Sequence, residues 1–169
     1  MLTRLLTAQD GAEYQRLRLQ SLVAEPDSFL SDISSEEGKH ESSFALELDY
    51  AYHPPYFGFF GSFQDEKLLA YCQVQRSFTD KQMHIAFLYN LYVDKGYRGQ
   101  GYGRGLMNHV LELLNSHEHI ERIFLSCNSK NKYGLQFYKK MGFHRCGIRP
   151  RSIKWHGVYD DEIEMVKVL

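Results

Sequence analysis

Four glycines stand at every second position in the segment YRGQGYGRG, which begins at Tyr97 and continues directly into an apolar helical pattern. A helix that follows such a turn presents unpaired amides and the positive end of its dipole, and both attract an anion. Glycines also let a ligand approach the backbone closely. The segment therefore predicts a phosphate or diphosphate site at the start of a helix.

Spacing excludes two common phosphate-binding motifs. A nucleotide P-loop requires GxxxxGK[ST], but Tyr102 follows Gly96–Gly101 in the place of the lysine. The dinucleotide fingerprint requires GxGxxG, but Arg104 and Leu106 occupy the last glycine position in the two available frames. Another phosphate-bearing ligand has to be considered.

The composition predicts one globular domain over residues 1–169, with 43% hydrophobic and 24% charged residues. Twenty Lys plus Arg against 21 Asp plus Glu leave a net charge of −1, which argues against a nucleic-acid binder. A local basic patch could still form from Arg98, Arg104, Lys130, Lys132, Lys139 and Lys140.

The cysteines and the first residues of the sequence indicate the cellular compartment. Cys72, Cys127 and Cys146 are odd in number and form no CxxC pair, so neither a disulfide framework nor a zinc site is indicated. The first residues contain no continuous apolar segment. We therefore expect a cytoplasmic protein with no membrane partner, no nucleic-acid partner and no metal.

Strands and helices alternate along the chain after a strand-rich middle section, which indicates an α/β (α+β) domain. Helices are predicted after Asp10 as a cap, from Ser34 or Ser35 to about His53, after the glycines, and over NKYGLQFYKKMGF. Strands are predicted at LTRLL, YFGFFGSF, KLLAYCQVQRSF, MHIAFLYNLYV, ERIFLSC, HRCGIRP and VYDDEIEMVKVL.

Two motifs carry a resemblance to a known family. Arg98, Gly101 and Gly103 form R-x-x-G-x-G after a strand end, which closely resembles the acyl-CoA-binding motif [Q/R]-x-x-G-x-[G/A] of the GCN5-related N-acetyltransferase (GNAT) superfamily. A later segment resembles that family's N-x-x-A-x-x-L-Y-x-K-x-G-F, with Gly for Ala and Phe for Leu. Its matching residues are Asn131, Gly134, Phe137, Tyr138, Lys140, Gly142 and Phe143.

The resemblance is specific from about Leu88 to Phe143, and it implies a fold and an activity. The fold would be a single GNAT-like domain with a mixed, mostly antiparallel sheet of six or seven strands and about four helices. The activity would be transfer of an acetyl group from acetyl-CoA to a primary amine by direct attack in a ternary complex. The acceptor would be a small amine, a polyamine or a peptide amine, and the resemblance also allows a homodimer.

The same resemblance implies roles for individual residues. The diphosphate of acetyl-CoA would lie on the amides of Arg98–Arg104, and the pantetheine arm would pair with the backbone of a strand and with Asn131. Tyr138 matches the family's acid, which protonates the leaving thiolate, and an amide near Leu91 would stabilise the oxyanion. The expected cofactor-binding residues are Leu91, Tyr92, Val93, Arg98, Gly99, Gln100, Gly101, Tyr102, Gly103, Arg104 and Asn131.

The general base does not follow from the resemblance. Many members carry Glu eleven residues before the first motif position, and Phe87 stands there in this chain. A water relay or an already neutral amine would need no base, and the missing carboxylate also allows a catalytically silent CoA-binding sensor. The side chains that could act instead are Tyr89, Asn90, His53, His84, Glu36, Glu37 and Tyr159.

The resemblance places the acceptor between residues 29–56 and 149–159. Acidic and aromatic side chains there would suit a cationic amine, although a solvated helix face explains them equally well. These residues are Asp32, Glu36, Glu37, Asp49, Tyr50, Tyr52 and Tyr56.

Overall fold

The computed structural model describes residues 1–50 and 56–169, and one seven-stranded sheet organises them. The strands are β1 (Leu2–Leu5), β2 (Gly58–Gln64), β3 (Lys67–Arg76), β4 (Ile85–Val93), β5 (Arg122–Asn128), β6 (His144–Trp155) and β7 (Val158–Val168). The α-helices of the described residues are α1 (Gly11–Ala24), α2 (Glu41–Tyr50), α3 (Tyr102–Ser116) and α4 (Lys132–Lys140). The expected mixed sheet with about four helices is confirmed.

The sheet order is β1-β2-β3-β4-β5-β7-β6, and every neighbouring pair is antiparallel except β4 with β5. Apolar clusters cover both faces. Helix α3 buries Leu106, Val110 and Leu114 in one cluster, whereas α1 and α2 bury Tyr14 and Phe44 in the other. Within the described ranges, no helix is long and apolar enough to cross a membrane.

Strands β4 and β5 part in the middle of the sheet. Their pairing in the described residues runs only as far as Phe87 with Phe124. Just beyond, Asn90 and Leu91 of β4 lie opposite the single residue Cys72 of β3, and Asn90 has a positive φ of 55°. This β-bulge redirects the strand and leaves a residue out of the ladder, so the end of β4 diverges from β5 and opens a gap.

The second helix begins later than the sequence pattern predicts. Ser34 and Ser35 lie in a 3₁₀ turn, where the Asp32 carboxylate accepts a hydrogen bond from the Ser34 amide at 3.0 Å, and α2 begins at Glu41. The aspartate therefore offers the backbone a local turn in place of a helix. The predicted helix end at His53 lies outside the described residues.

Asp10 stands at the expected start of α1, but its carboxylate does not cap that helix. It accepts from the Thr7 amide at 2.8 Å and from Nη1 and Nη2 of Arg4, each at 2.7 Å. Burial alone would raise the pKa of Asp10, but these hydrogen bonds outweigh burial and lower it. Asp10 thus fastens β1 to the turn before α1.

Candidate functional site

A cleft of about 640 Å³ occupies the gap between β4 and β5 and extends to the glycine loop and α4. Every residue that the sequence assigns to the site lines this cleft, except Gln100, whose side chain donates to the Gly96 carbonyl at 3.1 Å. Glu25, Ser28, Phe29, Tyr97, Tyr133, Gly134 and Phe137 also line it. The predicted lining residues are Leu91, Tyr92, Val93, Arg98, Gly99, Gly101, Tyr102, Gly103, Arg104, Asn131 and Tyr138.

The glycines of the loop serve two different structural needs. Gly99 and Gly101 have φ values of 78° and 95°, which other residues rarely adopt. Gly103 lies close to β4, because a Cβ there would stand 2.9 Å from Cγ2 of Val93. Gly101 precedes α3 and has no side chain that could cap it. The first amides of α3 therefore remain available to an anion at the cleft.

Arg98 connects the loop to two other elements. Its Nε donates to the Val93 carbonyl at 3.1 Å, and its Nη1 pairs with Glu25 Oε1 at 2.9 Å. Lys95 approaches the same carboxylate oxygen at 3.7 Å. Arg104 is exposed and forms no ion pair with any residue in 1–50 or 56–169. The glycine-loop end of the cleft therefore holds one engaged guanidinium and one without an ion-pair partner among the described residues.

Tyr138 reaches the cleft from α4 and is partly buried against Phe137 and Phe143, at ring-centroid distances of 5.7 and 6.1 Å. Burial, with smaller contributions from Cys127 and Cys72, raises the pKa of its phenol well above the usual value. The phenol therefore stays protonated near neutral pH. A protonated hydroxyl that lines a cleft can donate a proton to a leaving group there.

Asn131 lies at the start of α4, where its side chain has structural partners. Its Oδ1 accepts from the Gly134 amide at 2.8 Å and so caps the helix. Its Nδ2 donates to Ser28 Oγ at 3.2 Å. Asn131 therefore joins α4 to the segment that follows α1, in addition to lining the cleft.

The usual base position lies in an aromatic cluster. The Phe87 ring lies 6.1 Å from that of Tyr89, nearly parallel, and 6.2 Å from that of Phe124. Asn90 donates from Nδ2 to Gln73 Oε1 at 3.1 Å. Phe87 cannot accept a proton, and the cluster contains no carboxylate that could act in its place.

None of the other candidate bases in residues 1–50 and 56–169 lines the cleft. Glu36 is buried and paired with Arg18 at 2.8 Å; burial favours a higher pKa, but the bonds from Arg18 outweigh it and lower the pKa of Glu36. Arg151 stacks 3.9 Å from the Tyr159 ring centroid. Tyr89, Asn90, Glu36, Glu37, His84 and Tyr159 do not line the cleft, and His53 lies outside the described residues.

A second, smaller cavity of about 170 Å³ lies between residues 26–32 and the β6–β7 hairpin. Phe29 lines both cavities, so the two are neighbours. Of the acidic and aromatic residues predicted for the acceptor, Asp32 lines this cavity. Tyr50 is 86% exposed, and Tyr56 packs against His117 with ring centroids 4.6 Å apart. Tyr52 lies outside the described residues.

The cysteines are free, and the parts of the chain that the structure describes contain no group of three or more His, Cys, Asp or Glu that could hold a metal ion. Burial, with a smaller contribution from Glu162, raises the pKa of Cys127 to about 11. Its thiol is therefore protonated near neutral pH, which disfavours a nucleophilic role.

Comparison with known proteins gives one family. Residues 20–143 match the Acetyltransferase (GNAT) family. The [ribosomal protein bS18]-alanine N-acetyltransferase of Escherichia coli (strain K12) is 28% identical over 96 residues, which are 53% of this chain and 64% of that enzyme. The chain spans from 17% to 64% of the length of the curated relatives that it matches.

Solved structures share the fold over the whole chain. A GNAT-family acetyltransferase of Streptococcus pneumoniae superposes with a TM-score of 0.87 at 20% identity, covering 99% of both chains. A Salmonella typhimurium protein, whose structure holds its cofactor acetyl-CoA, superposes with a TM-score of 0.77 at 14% identity and covers 100% of this chain and 94% of that one. The family match extends over more than half of the residues of this chain. The chain therefore belongs to the Acetyltransferase (GNAT) family.

Proposed function

We propose that the chain is an N-acetyltransferase that transfers the acetyl group of acetyl-CoA to a primary amine in a ternary complex. The observation that carries the proposal is the cleft between β4 and β5, which brings the uncapped start of α3 together with the protonated phenol of Tyr138. Membership of an acetyltransferase family supports it. The acetyl-CoA in the Salmonella structure supports the choice of donor.

Each part of the cleft has a task in this reaction. The amides of residues 99–104 would bind the diphosphate without a metal, since consecutive amides can satisfy several phosphate oxygens. The backbone of Leu91 and Val93 would pair with the pantetheine arm along the diverging end of β4. The bulge at Asn90 and Leu91 turns a backbone amide out of the ladder, and such an amide can stabilise the oxyanion.

Acetyl-CoA supplies an activated thioester. The amine nitrogen would add to the thioester carbonyl carbon, whose oxygen becomes the oxyanion, and the carbon–sulfur bond would break as the carbonyl re-forms. Tyr138 would donate its proton to the departing sulfur, and the attacking amine would lose a proton to water, from which the Tyr138 phenolate regains one. Water is the simplest acceptor because Phe87 takes the place of the usual carboxylate.

The acceptor is proposed as a primary amine, on a small molecule or a peptide. The E. coli relative acts, by its name, on an alanine of a ribosomal protein, which makes a peptide amine one candidate. A catalytically silent CoA-binding module is the second candidate function, and Phe87 is the observation that favours it. A homodimer and a cytoplasmic location stay predictions.

Charge reversal tests the donor site without altering the loop glycines. We expect Arg104→Glu to weaken acetyl-CoA binding at least tenfold in calorimetry, because it places a negative charge beside the diphosphate. Arg122→Glu is the matched control, since Arg122 is exposed and does not line the cleft. Equal binding by both variants, or no binding by the wild-type protein, would overturn the proposed site.

Turnover separates the enzyme from the silent module. We expect Tyr138→Phe to retain acetyl-CoA affinity and to lower kcat for acetyl transfer by about 10²- to 10⁴-fold, the usual contribution of a general acid. Release of the free CoA thiol measures the rate. A wild-type protein that binds acetyl-CoA but acetylates no primary amine would favour the silent module.

A further inference from the structure

The second cavity has features of a binding site for the far end of the acceptor. It lies beside the cleft, and Phe29 lines both. Asn128 Nδ2 donates to the Asp27 carbonyl at 3.0 Å and to Asp160 Oδ2 at 3.1 Å, which fastens the loop after α1 to the end of β5. A ligand that extends from the proposed reaction centre past Phe29 would therefore reach this cavity, whose walls are fixed by these hydrogen bonds.

Apolar side chains form much of its wall although water can reach them. Leu30 is 80% exposed and Trp155 is 47% exposed, and both line the cavity with Phe29 and Ile153. Exposed apolar side chains around a concavity are more typical of a ligand site than of an ordinary solvated surface. At about 30 Å³ per water, the volume of about 170 Å³ holds a group of roughly five or six heavy atoms.

The charged groups at this cavity favour a cation. Asp27, Asp32 and Asp160 line the cavity, as does the cation Lys154. Lys130 pairs with Asp160, so the excess of negative charge rests on Asp27 and Asp32. Lys154 lies over the Tyr159 ring, 5.2 Å from its centroid.

The Asp32 carboxylate is solvent-exposed at the rim of the cavity. Hydrogen bonds from Ser34 lower its pKa, and His156 lowers it further, so it is ionised near neutral pH. An ionised carboxylate that lines the same cavity as the indole of Trp155 suits an alkylammonium group, because carboxylates and aromatic faces both attract cations.

We infer that the second cavity binds a positively charged group at the far end of the acceptor, so that the preferred substrate is a primary amine with a second cationic group, such as an alkyl diamine. This inference rests on the proposed function, because it extends the acceptor site of the same reaction. Asp32 and Trp155 determine the preference. A monoamine of equal length lacks the second charge, and an amino acid of equal length brings a repelled carboxylate.

Trp155 is the single tryptophan of the chain, so its fluorescence reports on this cavity directly. We expect cadaverine to change the emission saturably at low ionic strength, the uncharged pentan-1-ol to bind at least threefold more weakly, and pentanoate to give no saturable change. Asp32→Asn should weaken cadaverine binding about 1.4- to 5-fold, as one exposed ion pair allows, and should leave pentan-1-ol unaffected. Asp80→Asn is the control, because Asp80 lines neither cavity.

Equal affinity for cadaverine and pentan-1-ol, or no effect of Asp32→Asn on cadaverine, would overturn the inference. Acetyl transfer to cadaverine and pentylamine, in which one amine must lie at the reaction centre, keeps failure of the inference distinct from failure of the proposed function. Turnover of cadaverine and pentylamine with equal kcat/KM would leave the transferase intact and overturn the subsite. A selective tryptophan response without turnover of any amine would support the subsite and overturn the transferase.

Discussion

Glu25 places a negative charge at the end of the cleft where a diphosphate is proposed to bind. Its Oε1 lies 2.9 Å from Arg98 Nη1 and 3.7 Å from Lys95 Nζ. A diphosphate on the glycine loop would compete with this carboxylate for the same guanidinium. We therefore expect Glu25→Gln to tighten acetyl-CoA binding.

The size of the gain follows from the exposure of the pair. The Arg98 side chain is 45% exposed and that of Glu25 is 32% exposed, so the interaction belongs to the surface class worth about 0.2–1 kcal/mol. Freeing Arg98 from it should lower the Kd about 1.4- to 5-fold. The free energy of unfolding without ligand should fall by no more than about 1 kcal/mol, because the same pair is lost.

Calorimetric titration of acetyl-CoA at low and high salt measures the effect. The gain should shrink at high salt, since salt screens exposed charges. Glu37→Gln is the matched control, because Glu37 is exposed and lines neither cavity. Weaker binding by Glu25→Gln would refute the reasoning, because it would mean that Glu25 holds Arg98 in its binding position instead of competing with the ligand.

Three further predictions concern the core and the acid. Arg18→Ala should lower the free energy of unfolding by about 3–5 kcal/mol in chemical denaturation, because it leaves the buried Glu36 carboxylate unpaired; a loss under 1 kcal/mol would contradict this. Gly61→Ala should cost about 1–3 kcal/mol, because its Cβ would stand 2.5 and 2.6 Å from two leucine methyls, whereas Gly38→Ala meets no atom within 4 Å and should be nearly neutral in the same assay. Because burial raises the pKa of Tyr138, saturated acetyl transfer should not fall as pH rises from about 8 to 10, and a loss with an apparent pKa near the ordinary tyrosine value would contradict its role as a buried acid.

The donor side of the cleft could be predicted because its requirements are local. The positive φ of Gly99 and Gly101 restricts these positions to glycine, and the close approach of Gly103 to Val93 restricts a third. These restrictions show in the spacing of the glycines. The turn at residues 156–157 between β6 and β7 was predictable for the same reason, since its φ values of 44° and 80° are those of a tight hairpin.

The other wall of the cleft could not be predicted, because it depends on contacts between distant segments. Glu25 meets Arg98 across 73 positions of the chain, and Phe29 becomes a shared wall only after residues 26–32 fold back over β5. No periodicity marks either residue. The late start of α2 could not be predicted either, because Ser34, which resembles a helix cap in the sequence, lies in a turn with Asp32.

The segment from Glu25 to Asp32 is attached to the rest of the fold near both cavities. Glu25 pairs with Arg98 at one end of the cleft, Ser28 accepts from Asn131 beside α4, and the Asp27 carbonyl accepts from Asn128 beside the second cavity. A ligand that displaces Glu25 from Arg98 removes one of these three attachments, while the other two keep the loop on β5 and α4. Occupancy of the cleft should therefore loosen the loop at its Glu25 end, whereas Phe29, beyond the two remaining attachments, should keep its place between the two cavities.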